Sequence, residues 1–507
     1  MSARSLRRRL ADESRTVLLG EDIAAVLKPG DVLALEGDLG AGKTTLARAI
    51  IRALSGDPSL EVPSPTFTLV QSYEARIPAR HFDLYRLSDS GELLELGFDE
   101  AREEGVVLVE WPERAGGLIG DDVIRIRLDE EGEGRIAAIT APPEALTRIE
   151  RSLAIRDFVE KTGWAGGHRA FLLGDASTRA YETVSLPDEP RVILMNSPSR
   201  TDGPPVRDGK PYSQIAHLAE NVRPFVAIDN ALRGQGIAAP AIFAQDIREG
   251  ILLIEDLGCE GVIDEAGRPI AERYIAAAEL LARLHAVDWP HECEIAPGSR
   301  HRIPDYDRDA MTIEVELYVD WYLPEMAGAP EDHVRERFAR QWNKVFDRLE
   351  RGEKSLVLRD FHSPNLIWRG NRKGHDRLGI IDFQDALIGP SAYDVASLAM
   401  DARVTVEPAL EKAILDAYCR ARMAAGAFGR PTFDRVAFEE AYAIMAAQRN
   451  SKILGIFVRL NRRDGKPQYM KHLPRIRDYM ARALRHEALA PVHEFYAGID
   501  VPAPAAG

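Results

Sequence analysis

Asp31-Val-Leu-Ala-Leu-Glu36 followed by Gly37-Asp38-Leu39-Gly40-Ala41-Gly42-Lys43-Thr44-Thr45 decides how the first part of the chain folds. The first six residues read as a mostly apolar strand. The next eight match G-x-x-x-x-G-K-[ST], and a helix follows with Leu46, Ala47, Ile50, Ile51 and Leu54 on one face. Glycines let successive backbone N–H groups turn inward around a phosphate, and the helix N-terminus adds partial positive charge. Lys43 is the expected contact to the β- and γ-phosphates, and the Thr44 hydroxyl is an expected ligand of Mg²⁺. Gly37 through Thr45 are therefore the expected nucleotide-binding residues.

Outward from this loop, the sequence offers two carboxylates. Arg80-His-Phe-Asp83-Leu-Tyr-Arg86 reads as a strand carrying Asp83, and the buried-strand pattern Val106–Val109 ends at Glu110-Trp111. A carboxylate at a strand's C-terminal end is where α/β sheets place ligand chemistry. Glu110 is the candidate group for Mg²⁺ or for orienting water, and Trp111 is a candidate lining residue.

The whole chain, 507 residues long, exceeds one ordinary domain. Its formal net charge of −15 opposes duplex coating or a polybasic membrane grip, so any nucleic-acid role is local or indirect. Three dispersed cysteines, Cys259, Cys293 and Cys419, argue for a reducing compartment and against a zinc knuckle. No apolar run suits a membrane span, and Asp12 and Glu13 interrupt what a signal peptide would need after Arg7-Arg8-Arg9. The expected location is the cytoplasm, with no membrane contact. Pro142-Pro143 marks a connection. After it, a helix is expected over residues 146–162, capped at Gly163. The expected division is 1–145 and 146–500, with a disordered tail beyond.

The blocks GDLGAGKTT, SPTFTLV (Ser64–Val70), HFDLYRL (His81–Leu87) and VEWPER (Val109–Arg114) resemble the TsaE family. The resemblance implies an α/β P-loop ATPase that supports N6-threonylcarbamoyladenosine modification of tRNA. It implies work with TsaB and TsaD proteins, with tRNA met only indirectly. It also implies that Lys43 and Thr44 hold phosphate and Mg²⁺, that Glu110 assists the metal, and that Thr66 lies in a switch-like segment. Asp83 and Trp111 would line the site.

Residues 146–500 hold a different signal: Leu358-Arg-Asp360-Phe-His-Ser-Pro-Asn365, then a strand Leu378–Ile381, then Asp382-Phe-Gln. The order D-x-x-x-x-N, strand, D-F is that of protein-kinase-like phosphotransferases. Asp360 is the candidate base for the attacking hydroxyl, and Asn365 and Asp382 are the candidate Mg²⁺ ligands. Asp175 and Ser177, in a strand–turn–strand over Phe171–Tyr181, are candidate nucleotide contacts. Glu255 stands at a strand-to-hinge junction expected to hold adenine. The strand Arg191–Met195 lacks the customary lysine; Met195 or Asn196 occupies that region, and Arg179 is a weak substitute.

The blocks DASTRAY (Asp175–Tyr181), LRDFHSPNLIW (Leu358–Trp368), IIDFQDALIGPSAYDVASL (Ile380–Leu398) and QRNSKILGIFVRL (Gln448–Leu460) resemble the aminoglycoside phosphotransferase family. Within it they are most similar to the N-acetylmuramate/N-acetylglucosamine kinases, often called AmgK. The resemblance implies an α+β bilobal kinase fold, with an N-lobe over about 146–260 and a C-lobe over about 261–500. It also implies ATP-dependent phosphorylation of an amino sugar's anomeric hydroxyl in peptidoglycan recycling. Two alternatives stay open: one nucleotide site is silent and regulatory, or the kinase takes another hydroxylated substrate such as an aminoglycoside. Asp394 is expected to orient the catalytic loop. Arg449, Asn450 and Lys452 are expected at a surface or between lobes, Asp320-Trp321-Tyr322 in aromatic packing, and His362 in a structural role.

Overall fold

Val32, Leu33, Ala34 and Leu35 are all buried in strand β2 (Val32–Glu36), which requires cover on both faces of its sheet. Successive strand side chains point to opposite faces. Leu33 and Leu35 accordingly join one core with Leu46, Ile50 and Leu54, while Val32 and Ala34 join another with Phe82, Val107 and Val109. The computed structural model describes residues 5–87, 89–172, 179–426 and 433–496. These fall into two compact units, residues 1–197 with 243–255 and residues 198–242 with 256–507.

The first unit begins with β1 (Leu6–Leu10) and helix α1 (Glu13–Ala24), then β2 and helix α2 (Lys43–Ser55). Strands β3 (Val70–Tyr73), β4 (Ala79–Asp83), β5 (Val106–Glu110), β6 (Ile124–Glu131) and β7 (Gly134–Thr140) complete a seven-stranded sheet. Its order is β1-β7-β6-β2-β5-β4-β3, with β2 parallel to β5 and β6, and β4 parallel to β5. The register places Asp83 beside Glu110 at the same sheet end as the P-loop.

Helix α3 (Pro143–Val159) serves two cores. Ile149 and Leu153 pack with the first sheet, whereas Ile155 and Val159 pack with Val184, Val192 and Leu253 of a second. That second sheet has five strands: β8 (His168–Leu172), β9 (Ala180–Ser185), β10 (Val192–Asn196), β11 (Ile242–Asp246) and β12 (Ile251–Glu255), in the order β11-β12-β10-β9-β8. The cap expected at Gly163 is not used. The helix stops at Val159, where a tightened turn meets the last carbonyls. Lys161 N donates to the Phe158 carbonyl and Thr162 N to that of Val159, each at 3.0 Å, with the Thr162 hydroxyl also on Val159 at 2.7 Å.

Between the two sheets lies a buried charge network. Arg169 of β8 donates from Nη1 to Asp22 Oδ1 of α1 at 2.7 Å and grips Glu182 of β9 through Nε and Nη2 at 2.7 and 2.9 Å. Arg156 of α3 donates from Nε to both Asp22 oxygens at 3.0 Å, and Ser152 Oγ donates to the Asp22 carbonyl at 2.6 Å. Charges withdrawn from water persist only when paired and hydrogen-bonded.

The second unit is mainly helical. It contains α4 (Arg223–Gly234), α5 (Ala271–His285), α6 (Arg308–Leu317), α7 (Ala392–Ala399) and the 28-residue α8 (Arg435–Arg462). Two short antiparallel pairs frame its catalytic-loop region: β13 (Lys354–Val357) with β16 (Leu387–Pro390), and β14 (Leu366–Trp368) with β15 (Leu378–Ile380). Among the described residues, no helix is long and apolar enough to cross a membrane.

Replacing Arg169 with Met leaves Glu182 and part of Asp22 buried without their cation. The first unit should lose about 3–5 kcal/mol of unfolding free energy, read by urea denaturation. A change within about 0.5 kcal/mol would contradict the role given to this network.

Candidate nucleotide and phosphotransfer sites

In the first unit the loop Gly37–Gly42 links β2 to α2. Gly37 has φ 137°, and a Cβ there would lie 2.5 Å from the Leu128 carbonyl oxygen, so no larger residue fits. Gly42 precedes α2 at φ 102°. Ala41 N donates to the Asp38 carbonyl at 3.1 Å, and Arg135 Nη2 donates to the Gly40 carbonyl at 3.1 Å. Leu39 projects outward, 78% exposed, and Thr45 lies half-buried in the first turn of α2.

Lys43 is folded back on its own loop. Its Nζ donates to the Gly37 and Asp38 carbonyls at 2.6 and 2.9 Å and lies 3.6 Å from the centroid of the Trp111 ring. Burial pushes the ammonium's pKa down, against the opposing pull of Glu110, Glu113, Asp83 and Asp38. Trp111 itself has φ 62°, a strained left-handed conformation for an aromatic residue, immediately after Glu110. Strain of this kind persists only where surrounding contacts fix it.

Thr44 Oγ1 donates to Glu110 Oε2 at 2.9 Å, and His81 Nε2 lies 2.9 Å from Glu110 Oε1. His81 is fully buried and was not singled out by the sequence; its alternation within β4 was the only signal. Asp83 Oδ2 accepts from Ser64 and Thr66 hydroxyls at 2.7 and 2.8 Å, so the segment around Thr66 is fastened to the strand end beside Glu110. A cleft of about 520 Å³ opens here, lined by Glu36, Gly37, Asp38, Trp111 and Glu113 among others.

In the second unit, Asp394 at the start of α7 is fully buried, and its two carboxylate oxygens accept from Leu358 N at 2.6 Å and Arg359 N at 2.9 Å. This bears out the expected orienting role. Arg359 takes φ 69° and Asp382 φ 61°, both in the left-handed region. Asn365 Nδ2 donates to the Asp360 carbonyl at 2.9 Å, and Ile381 N donates to the Asn365 carbonyl at 3.1 Å. Gln384 Nε2 donates to Asp382 Oδ1 at 2.9 Å. Asp360 and Asn365 are thus joined directly, and the Ile381 N–H bond holds the residue next to Asp382 against Asn365.

Beneath the loop, the buried Arg359 guanidinium is ion-paired to Glu314 of α6. Lys452 of α8 reaches the same carboxylate at 2.7 Å, and Gln448 and Tyr306 also bond it. Burial would raise the Glu314 carboxyl, but Lys452 and Arg359 outweigh it and hold it at about 2. The expectation of a surface or interlobe place for Arg449, Asn450 and Lys452 is therefore corrected. All three lie in the second unit's interior, where Arg449 Nη1 donates to the Met400 carbonyl at 3.2 Å and Asn450 Nδ2 bonds Met400 Sδ. Their helix runs through the core, so its polar residues are satisfied internally. His362 is also buried, and burial pushes its pKa down, which keeps the ring neutral. Tyr322 packs on Tyr318, and Asp320 pairs with Arg335.

Glu255 closes β12 opposite Val192, in the first unit. At the place expected for lysine, Met195 is buried and Asn196 Oδ1 accepts from Arg151 at 2.7 Å. Asp175 and Ser177 lie outside the described residues.

Residues 10–137 match the family model "Threonylcarbamoyl adenosine biosynthesis protein TsaE", and residues 170–432 match "Phosphotransferase enzyme family". A tRNA threonylcarbamoyladenosine biosynthesis protein TsaE from Rickettsia conorii is 41% identical over 121 residues, covering 24% of this chain and 69% of that one. An N-acetylmuramate/N-acetylglucosamine kinase from Caulobacter vibrioides is 34% identical over 361 residues, covering 68% of this chain and 96% of that one. The chain belongs to both families. A kinase of the same name from Pseudomonas aeruginosa is 32% identical, covering 66% of this chain and 91% of that one. The fold is therefore an α/β P-loop NTPase domain followed by an α+β kinase-like phosphotransferase, and the chain is an enzyme of both classes.

A nucleotide that draws Lys43 off the loop carbonyls also draws it off Trp111. Adding ATP should change Trp111 emission, measured as the difference between the protein and its Trp111→Phe variant, and Lys43→Ala should abolish the change. An equal change in Trp111→Phe would rule this out.

Proposed function

We propose that this chain is bifunctional. Residues 1–145 would form the ATPase that supports N6-threonylcarbamoyladenosine modification of tRNA with TsaB- and TsaD-type partners. Residues 146–500 would form an ATP-dependent kinase for the anomeric hydroxyl of N-acetylmuramate and N-acetylglucosamine, and both would act in the cytoplasm. The observation that carries the kinase reading is the Asp394-fixed loop in which Asn365 bonds the Asp360 carbonyl and accepts from Ile381 N, the residue before Asp382.

The donor sets suit Mg²⁺ held jointly by protein and phosphate. Among the described residues no three His, Cys, Asp or Glu side chains converge into a metal cage. Each candidate site instead offers one carboxylate and one neutral oxygen, Glu110 with Thr44 and Asp382 with Asn365, as hard, oxygen-only ligation requires. When bound, ATP with Mg²⁺ supplies the γ-phosphoryl group and neutralises its charge.

Asp360 accepts the proton of the sugar hydroxyl as its oxygen bonds to the γ-phosphorus and ADP departs. Asn365 is oriented by its amide bond to the Asp360 carbonyl, which turns its own oxygen away from that carbonyl. Asp394 is a positioning residue that acts through Leu358 and Arg359. In the first site, Lys43 and amides of the Gly37–Thr45 loop would bind phosphate, Glu110 and Thr44 would hold Mg²⁺, and Trp111 lines the cleft. Glu255, Asp175 and Ser177 are further candidate nucleotide-binding residues.

The test mixes the protein and ATP with each sugar, and separately with an aminoglycoside, and reads products by mass spectrometry. A sugar 1-phosphate is expected, falling by about 10³-fold or more in Asp360→Asn. An aminoglycoside phosphate without a sugar phosphate would favour the other substrate class. For the first site, Lys43→Ala should abolish partner-stimulated ATP hydrolysis; undiminished turnover would remove that assignment.

A further inference from the structure

The second unit contains a cleft of about 360 Å³ that the phosphotransfer trio does not use. Its polar lining includes His217, Glu220, Asn221, Arg223, His301 and Gln384. Two bonds tie it to the loop that carries Asp382. Ala219 N donates to Asp385 Oδ1 at 2.6 Å, and Gln384 Nε2 donates to Asp382 Oδ1 at 2.9 Å.

The second bond fixes which way the Gln384 amide faces. Reversal would set its oxygen against a carboxylate, so Nε2 points to Asp382 and Oε1 points elsewhere. Gln384 is 4% exposed, it lines the cleft, and its Oε1 has no partner among the described residues. A buried acceptor left unpaired is costly, which marks a place for a donor from a ligand.

Arg223 supplies a second unmet demand. It opens helix α4, whose dipole favours an anion, although the Arg223 N–H is taken by Asn221 Oδ1 at 3.0 Å and Pro224 has none. Its Nη2 donates to Ser299 Oγ at 2.9 Å, yet no carboxylate lies within ion-pair distance of its guanidinium among the described residues. The other lining groups do not compete for it. His217 Nε2 is taken by Asp307 Oδ2 at 2.8 Å. Burial, then the nearby Arg223, pushes the His301 ring's pKa down and keeps it neutral. Glu220 makes no ion pair with Arg223 among the described residues, and burial, then the neighbouring Asp202, raises its carboxyl's pKa.

One ligand chemistry answers both demands: an anionic carboxylate beside a hydroxyl or amide N–H. N-acetylmuramate differs from N-acetylglucosamine by a lactyl ether that carries such a carboxylate. We infer that Arg223 is a specificity-determining residue that binds the carboxylate of the acidic sugar, while Gln384 Oε1 accepts from a hydroxyl or acetamido N–H of the same molecule. This rests on the sugar-kinase reading above, and it adds a reason for one chain to accept two sugars unequally.

The test compares kcat/KM for the two sugars in the intact protein, in Arg223→Gln and in Arg223→Lys. The ratio of N-acetylmuramate to N-acetylglucosamine should fall about 10- to 100-fold in Arg223→Gln, the span expected for a lost charged hydrogen bond. Arg223→Lys, which keeps the charge without the fork, should give an intermediate ratio. A ratio unchanged in Arg223→Gln, whether both activities fall or neither does, would overturn the inference. So would an unmodified protein that phosphorylates only the neutral sugar. If it phosphorylates neither, the kinase reading itself fails, an outcome separate from the others.

Discussion

Asp394 is wholly withdrawn from solvent, and a carboxyl so placed is costly unless its oxygens are claimed. The claimants are the backbone N–H groups of Leu358 and Arg359, so satisfying one buried carboxyl fixes the path of the loop that ends in Asp360. The same constraint recurs through the chain. Glu110 is claimed by Thr44 and His81, which sets the strand end against the P-loop helix. Glu314 is claimed by Arg359 and Lys452, which ties the loop to α6 and α8. Asp22 is claimed by Arg156 and Arg169, which joins the first sheet to the second.

These pairings also account for backbone strain. Trp111, Arg359 and Asp382 all take left-handed φ values although none is glycine. Each follows or belongs to a segment fixed by a hydrogen-bonded carboxylate: Glu110 before Trp111, Asp394 bonded at Arg359, and Asp382 itself accepting from Gln384. Strain of about 1–3 kcal/mol per residue survives only when surrounding contacts over-determine the conformation. Rigidity of this kind is what phosphoryl transfer needs, because its catalysis is mostly positioning and charge stabilisation.

Much of this was legible in the sequence wherever the chemistry is contiguous. The P-loop, the strand ending at Glu110 and the order Asp360, Asn365, strand, Asp382 occupy short windows in which spacing alone dictates geometry. Asp394 was legible as an orienting acid, though not which N–H groups it holds. Pairings between distant segments were not legible. Arg169 and Asp22 lie 147 residues apart, and nothing local to either announces the other. Arg449, Asn450 and Lys452 looked like surface residues because a polar run on a helix usually is solvated. Here α8 is buried nearly all round between residues 441 and 455, and Glu314 and Met400 supply the partners. Gly163 looked like a helix cap, but the backbone N–H groups of Lys161 and Thr162 already meet the last carbonyls.

If one chain carries two separate nucleotide sites, each organised around its own buried acids, it binds two nucleotides at once. Equilibrium dialysis with Mg²⁺ and a non-hydrolysable ATP analogue measures it most directly. Two nucleotides per chain are expected for the intact protein, one in Lys43→Ala and one in Asp382→Ala. A single nucleotide per intact chain, or two retained in both variants, would contradict it.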